Sequence, residues 1–404
     1  MKILLIGIRG YAKVFMDALF ANKPGEDFEF VGYVYPKNRT SAIPQELIDN
    51  NITRYDSLEE FYENNEADLV IISSPIQLHV SQTIEALENG SNVLCEKPIA
   101  ATIQDALKMQ EASERTGKFV AVGFQWSFSE PILSLKKDIL DGVYGKPLSC
   151  KTVVQWPRSE RYYNRSSWAG KIKDEDGEWI LDSVANNATA HFLHNMFFAL
   201  GEKINESAYP ANIQAEMYRA NAIENYDSFM ARIKTDNGVD MIFLASHAVP
   251  ENINPVFEFR FEKGTVTFDS AKDNIIYGTT SDGVTKSYGN PFDDEMRKIF
   301  TSIKAIRGED VIPCDILTAS PQLITINAVS EHLRIVDFPE DVLVRQPLKE
   351  PGLETTLIYV KDIKDVLNDC YSKEKLPSEL GVSWAVSQGS FEVGEYTEFK
   401  GERK

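Results

Sequence analysis

Cysteine and histidine are scarce in this chain of 404 residues: four cysteines (Cys95, Cys150, Cys314, Cys370) and five histidines. No two cysteines form a C-x-x-C pair, and metal sites usually bring ligands in close pairs, so the expectation is buried free thiols. His191 and His194 stand three apart, but no nearby cysteine or His-Glu-x-x-His pattern completes a set, so no metal site is indicated. Positive charge is also short. With 42 Lys and Arg against 61 Asp and Glu, the formal charge is -19, which leaves no basic surplus to displace counterions from a nucleic acid. No run approaches the ~20 apolar residues of a membrane helix. The apolar start, Met1 to Ile6, is far shorter than the ~7–15 residue core of a secretory signal. These absences predict a cytoplasmic protein with neither nucleic-acid nor membrane partners.

What remains is globular in composition, with 43% hydrophobic and 25% charged residues. The length predicts two domains. Over residues 1–125 short apolar strands alternate with amphipathic helices. Strands are read at Ile3–Ile6, Phe28–Tyr35, Leu69–Ile72, Val93–Cys95 and Phe119–Val122. Helices are read from Tyr11, from the capping box of Ser57 and Glu60, from His79 to a stop at Gly90, and from Thr102 to Gly117. That alternation predicts a doubly wound α/β domain with a parallel sheet. Ligands bind at the carboxyl ends of such strands. Four of those ends carry unusual sequences: Gly7–Ala12, Tyr35–Arg39, Ser73–His79 and Glu96–Pro98.

The first of these, Gly7-Ile8-Arg9-Gly10-Tyr11-Ala12, is close to the Gly-x-Gly-x-x-Gly/Ala turn that cradles a dinucleotide pyrophosphate. Gly7 and Ala12 fit the first and third roles, while Arg9 occupies the second, where a side chain would crowd the phosphate. After the second strand, Lys37 and Arg39 stand where a ribose-binding carboxylate is expected. With Arg9 they favour NADP, leaving NAD open.

The motifs Pro75-x-x-x-His79 and Glu96-Lys97-Pro98, separated by one helix, are specific in this order and context. The chain resembles the Gfo/Idh/MocA family over about residues 1–340. The resemblance implies a Rossmann domain (1–125), then a C-terminal α/β domain (126–340) with a large open, mostly antiparallel sheet; residues 341–404 read as an extension with one helix, Val360 to Cys370. Alternating runs agree with this at Leu148–Gln155, Ile213–Tyr218, Phe229–Ile233, Met241–Ser246, Phe257–Phe261 and Val266–Phe268. The family's open sheet is often an oligomer face, which implies a homodimer or homotetramer.

The resemblance further implies hydride transfer between a nicotinamide and a sugar, polyol or related hydroxy compound, with Lys97 reaching both. Cofactor contacts are then expected from Gly7, Arg9, Gly10, Tyr11, Ala12, Lys37, Arg39, Ser73, Ser74, Pro75, His79, Glu96 and Lys97, with Gln125 and Trp126 bordering the nicotinamide. The family's second group is Asp-x-x-x-His at a helix start, and two alignments fit. One places Asn187 and His191 there, with an unbroken helix from Asn187 to Leu200 capped by Asn186 or Asn187. The other places Asp182 and Asn186 there. The first keeps an imidazole and is preferred, with Asp182 or Asn187 orienting the substrate hydroxyls. Tyr162, Tyr163, Arg165, Trp168 and His194 are the candidate substrate contacts. Two alternatives stay open: a dinucleotide-sensing or non-catalytic binding protein on the same fold, and a glycoside-cleaving enzyme that borrows the hydride transiently.

Overall fold

The structure, a computed structural model, describes residues 1–21, 28–39, 41–350 and 352–401. The chain divides into two compact units, Met1–Ser129 with Asp294–Ser320, and Glu130–Asp293 with Pro321–Lys404. Residues 294–320 thus fold with the first unit, although the sequence reading ended that domain at residue 125.

The first unit alternates as its apolar periodicity requires: β1 (Lys2–Ile6), α1 (Ala12–Ala21), β2 (Glu29–Val34), α2 (Gln45–Asp49), β3 (Arg54–Tyr55), α3 (Leu58–Tyr62), β4 (Leu69–Ile72), α4 (His79–Glu88), β5 (Asn92–Cys95), α5 (Ile103–Thr116) and β6 (Val120–Val122). The sheet is parallel in the order β3-β2-β1-β4-β5-β6. Both faces of β1 and β4 are buried, which explains their unbroken apolar runs. The Ser57 hydroxyl accepts from the Glu60 amide at 3.1 Å, so the helix start read from the sequence is present at α3. Gly117 ends α5 in the left-handed conformation, φ 67°. The strand order reverses between β1 and β4, and there the ends of β2, β1, β4 and β5 line up on one sheet edge. The returning segment adds an amide bond from Val122 to the Cys314 carbonyl, 2.9 Å, which covers the β6 edge.

The second unit begins with α6 (Glu130–Leu140), β7 (Pro147–Gln155) and α7 (Glu160–Tyr163), followed by α8 (Ala190–Leu200). Next come β8 (Pro210–Arg219), β9 (Ser228–Thr235), β10 (Asp240–Ser246), β11 (Ile253–Phe261), β12 (Gly264–Asp269), β13 (Ile276–Thr280) and β14 (Thr285–Gly289). After α9 (Arg297–Ile306) in the first unit, α10 (Ile316–His332) leads back to β15 (Ile335–Asp337). The sheet runs β14-β13-β12-β11-β7-β10-β9-β8-β15. It is mixed: β10–β7 and β15–β8 pair in parallel and the other neighbours antiparallel.

The extension holds more than the one helix read from the sequence. A hairpin of β16 (Leu343–Glu350) and β17 (Leu353–Val360) precedes α11 (Ile363–Lys373), and β18 (Ser390–Glu392) pairs with β8. Residues 351 and 402–404 lie outside the described residues. Ile363, Leu367 and Cys370 of α11 bury Val153, Ile242 and Leu244 of the sheet, and Trp384 closes the same cluster. The alternating residues Phe229, Ala231, Phe243 and Ala245 are buried as well, so these central strands are covered on both faces.

Candidate functional site

At the switch point of the first sheet, Gly7 has φ 96°, and a Cβ there would lie 2.5 Å from the Ser73 carbonyl oxygen, so only glycine fits between the ends of β1 and β4. Gly10 has φ 59°, with nothing within 4 Å of where a Cβ would stand. The open, left-handed position in the turn is therefore Gly10, and the Arg9 side chain is exposed. Ala12 is fully buried and starts α1, whose first amides face the turn. A glycine cradle closed by a helix N-terminus fits a dinucleotide pyrophosphate.

Beyond β2, Lys37 and Arg39 are exposed. Lys37 is ion-paired to Asp56 at 2.9 Å, and Asp56 also accepts the Lys37 amide at 2.7 Å. A carboxylate, Asp56, thus stands just after β3 and holds Lys37.

The motif residues of β4 and β5 are locked together. His79 is 2% exposed, and its ring nitrogens meet the Ser74 and Pro98 carbonyls, each at 2.9 Å. Burial lowers its pKa, against the pull of those carbonyls. His79 thus clamps the two loops to each other. Ser74 donates to Gln82 at 2.6 Å. Ser73 and Pro75 are half-buried at the same edge. The Lys97–Pro98 peptide is cis, and the Lys97 amide donates to the Glu96 carboxylate at 3.2 Å.

Glu96 is buried and ion-paired with Lys298 of α9, whose side chain is fully buried. Burial lowers the Lys298 pKa while Glu96 opposes the shift. The Lys298 amine lies 4.6 Å from the Tyr11 ring centre and 4.7 Å from that of Phe15. Glycine is required at 123, where a Cβ would stand 2.6 Å from a Glu96 oxygen. The Tyr11 hydroxyl donates to Gln125 at 3.1 Å, and Gln125 donates to Glu295 at 3.3 Å. Tyr11 is pushed up chiefly by burial, with Glu96 and Glu295 adding to it. Trp126 is 2% exposed and belongs to the core. The sequence reading missed Lys298 and Glu295 because nothing near them in the chain marks a helix that returns to this motif.

In the second unit the helix expected from Asn187 to Leu200 is interrupted. Val184–Ala188 form a π-helical turn capped by Ser183, whose hydroxyl accepts from the Asn186 amide at 3.1 Å. The Thr189 amide reaches the Val184 carbonyl at 3.0 Å, as does its hydroxyl at 2.7 Å, and α8 starts only at Ala190. The cap is Ser183 rather than Asn186 or Asn187, because Thr189 satisfies Val184 through its own side chain and admits one extra residue. Asn187 and His191 therefore do not share the regular i, i+4 face the sequence implied.

The turn instead unites the residues of the two alignments. Asn187 Nδ2 donates to Asp182 Oδ1 at 2.8 Å, and the Gly170 amide donates to Oδ2 at 2.6 Å. Asp182 is 3% exposed. Leu181 before it has φ 53°, a left-handed conformation that strains a leucine. Asn186 is buried and donates to the Leu181 carbonyl at 3.0 Å. His191 is half-buried at the start of α8. His194 is 1% exposed and stacks on Phe198 at 5.8 Å. Burial and then the Lys136 charge lower its pKa to about 3, the setting of a neutral core histidine.

Tyr163 and Trp168 are half-buried and Arg165 is exposed. Gly170, just past this stretch, donates its amide to Asp182, and the acid's charge helps raise the pKa values of Tyr162 and Tyr163, which burial raises most. Two further residues went unread, Arg158 and His247, at the ends of the buried strands β7 and β10. His247 Nδ1 donates to the Trp156 carbonyl at 2.7 Å, and its pKa is lowered to about 3 by burial and then by Arg158.

Residues 1–124 match the family model described as "Oxidoreductase family, NAD-binding Rossmann fold". A 1-carboxy-3-chloro-3,4-dihydroxycyclohexa-1,5-diene dehydrogenase of Comamonas testosteroni is 30% identical over 185 residues, covering 45% of this chain and 43% of the relative. A 2,7-anhydro-N-acetylneuraminate hydratase of Mediterraneibacter gnavus is 33% identical over 172 residues, 42% and 44% of the two chains. These matches span less than half the length of either relative. Among solved structures, the WlbA dehydrogenase of Bordetella pertussis, in complex with NADH and UDP-GlcNAcA, has a TM-score of 0.66 at 22% identity, covering 81% of this chain and 94% of that one. Aldose-aldose oxidoreductase of Caulobacter crescentus has a TM-score of 0.64 at 18% identity, with 81% and 96% covered. At such identities the likeness is one of fold. Residues 1–124, with their glycine turn and locked Glu96-Lys97-Pro98 loop, thus match the NAD-binding Rossmann domain of the Gfo/Idh/MocA oxidoreductase family.

Proposed function

We propose that this protein is a nicotinamide-dinucleotide-dependent oxidoreductase acting on a CH–OH group of a sugar, polyol or related hydroxy compound. The observation that carries this reading is the fixing of the Lys97 loop: His79 ties it to the end of β4 and Glu96 ties it to Lys298, on the same sheet edge as the glycine turn. Gly7, Gly10 and the start of α1 would hold the pyrophosphate, with Tyr11 and Gln125 nearby. When bound, the dinucleotide supplies the hydride acceptor or donor. Lys97 takes or returns the proton of the reacting hydroxyl. In the second unit Asp182, which accepts from Asn187 and the Gly170 amide, is the candidate to orient substrate hydroxyls, with His191 as a second polar group. Several relatives are named for such substrates, among them a 1,5-anhydro-D-fructose reductase of Ensifer adhaerens.

For the cofactor, NADP is favoured by Arg39 and Lys37, and NADH by the NADH bound in similar structures and by Asp56, which already engages Lys37. Titration of the ligand-free protein with NADH and NADPH, followed by nicotinamide fluorescence, decides between them. Absence of binding by either below about millimolar would end the oxidoreductase reading. Lys97→Ala is expected to keep cofactor affinity and lose at least ~100-fold in turnover; full activity would remove Lys97 from the chemistry.

A further inference from the structure

Arg158 and Arg165 in the second unit converge on one aromatic ring. Their guanidinium carbons lie 4.8 and 3.6 Å from the centre of the Tyr162 ring, and Arg165 also stands 4.8 Å from that of Trp168. Both charges act on the buried imidazole of His247. The backbone holds this group in place: the Arg158 amide donates to the His247 carbonyl at 3.2 Å, and His247 Nδ1 donates to the Trp156 carbonyl.

Two like charges stacked on one ring form a local positive patch that suits an anion. Within the described residues, neither arginine has a carboxylate at ion-pair distance. Five of the six other described arginines of this unit, Arg161, Arg219, Arg232, Arg260 and Arg345, each have one within 4.0 Å, and the sixth, Arg334, is exposed. The absence is notable in a chain with 61 acidic residues. Asp182, the acid that acts on Tyr162, is already engaged by Asn187 and the Gly170 amide.

Each guanidinium has spent only part of its donor set. Arg158 Nη1 donates to the Pro157 carbonyl at 3.2 Å, and Arg165 Nη1 to that of Tyr162 at 2.6 Å. Arg158 Nε and the Tyr163 hydroxyl are buried without a partner among the described residues. Each guanidinium therefore keeps donors for an anion, and a carboxylate offers an oxygen to each.

We propose that Arg158 and Arg165 bind a carboxylate on the substrate, which is a sugar acid and not a neutral sugar. The assignment rests on the reading that this unit receives the hydroxylated substrate. Tyr162 and Trp168 supply the aromatic faces for the sugar ring, and the Tyr163 hydroxyl supplies a donor.

The test is equilibrium binding by the full-length protein, read by calorimetry and thermal shift without turnover. The probes are D-glucuronate, D-galacturonate and D-gluconate, each against its neutral counterpart (D-glucose, D-galactose, D-glucitol), together with D-glucose 6-phosphate. At least one acid is expected to bind where its neutral partner does not. Arg158→Gln and Arg165→Gln should each weaken that binding about ten-fold or more and leave dinucleotide affinity unchanged; Arg165 is exposed, so its variant tests the idea without a folding cost. The proposal is overturned if neutral sugars bind as well as acids, if acid binding ignores both substitutions, or if the phosphate ester is preferred. Arginine-dependent acid binding by a protein that binds no dinucleotide would support the acid site and refute the oxidoreductase reading.

Discussion

The buried amine of Lys298 is ion-paired with the carboxylate of Glu96, 202 positions away in the chain, with side-chain exposures of 0% and 8%. Glu96 in turn receives the Lys97 amide, so a residue on α9 sets the position of the lysine proposed to do the chemistry. Removing one partner leaves a buried charge uncompensated, which costs about 3–5 kcal/mol. Lys298→Met is expected to show that loss in urea denaturation, and the double variant Lys298→Met/Glu96→Gln to recover much of it. If the double variant is no more stable than the single, the pair is not the unit described.

Stability should fall as the solution is acidified below pH 6.5. His194 and His247 are held neutral in the fold down to about pH 3, whereas in the unfolded chain they take up protons near pH 6.5. The unfolded state therefore binds more protons between pH 6.5 and 3, and stability declines as pH drops through that window. At pH 5 the loss is roughly 2 kcal/mol per histidine. His79, also lowered by burial, acts in the same direction. Melting temperatures from pH 7.5 to 4.5 measure the slope, and His194→Gln should flatten it. An unchanged slope in that variant would remove His194 as a source.

On the proposed reading, Asp56 is the position to change for cofactor preference. It pairs with the Lys37 amine and accepts the Lys37 backbone amide. Asp56→Ala frees the cation and removes the acceptor a ribose 2′-hydroxyl would use, so the ratio of NADPH to NADH affinity should rise several-fold. Paired fluorescence titrations of the two proteins measure it. A ratio that falls or stays fixed would place the 2′ position away from Lys37.

The first unit was legible because its strands are buried on both faces and read as unbroken apolar runs, and because glycines and caps punctuate its helices. Gly7, His79 and Glu96 could be found for the same reason, since each belongs to a local motif. Lys298, Glu295 and Asp56 could not, because their roles come from long-range contacts that leave no periodic trace. The helix from Asn187 failed for a different reason. Thr189 has ordinary apolar neighbours, and only its side-chain bond to Val184 admits the extra residue. The hairpin of β16 and β17 was missed because its first strand is half-exposed and lacks clean alternation.

That extra residue produces the contact between Asp182 and Asn187, and the two should behave as one device. The Asp182 carboxylate has one oxygen on Asn187 Nδ2 and the other on the Gly170 amide. Asn187→Ala removes the side-chain donor on Oδ1 and so loosens the aim of the carboxylate proposed to meet the substrate. Asp182→Asn keeps the shape and removes the charge. Each change is expected to lower kcat/KM by about ten-fold or more, the scale of a charged hydrogen bond, with the loss mainly in kcat if the pair acts on the transition state. In the double variant the effects should not multiply, because once the acid is gone the amide has nothing left to orient. Multiplicative losses, measured at saturating cofactor, would show that Asp182 and Asn187 act separately and that the geometry of the π-helical turn serves packing alone.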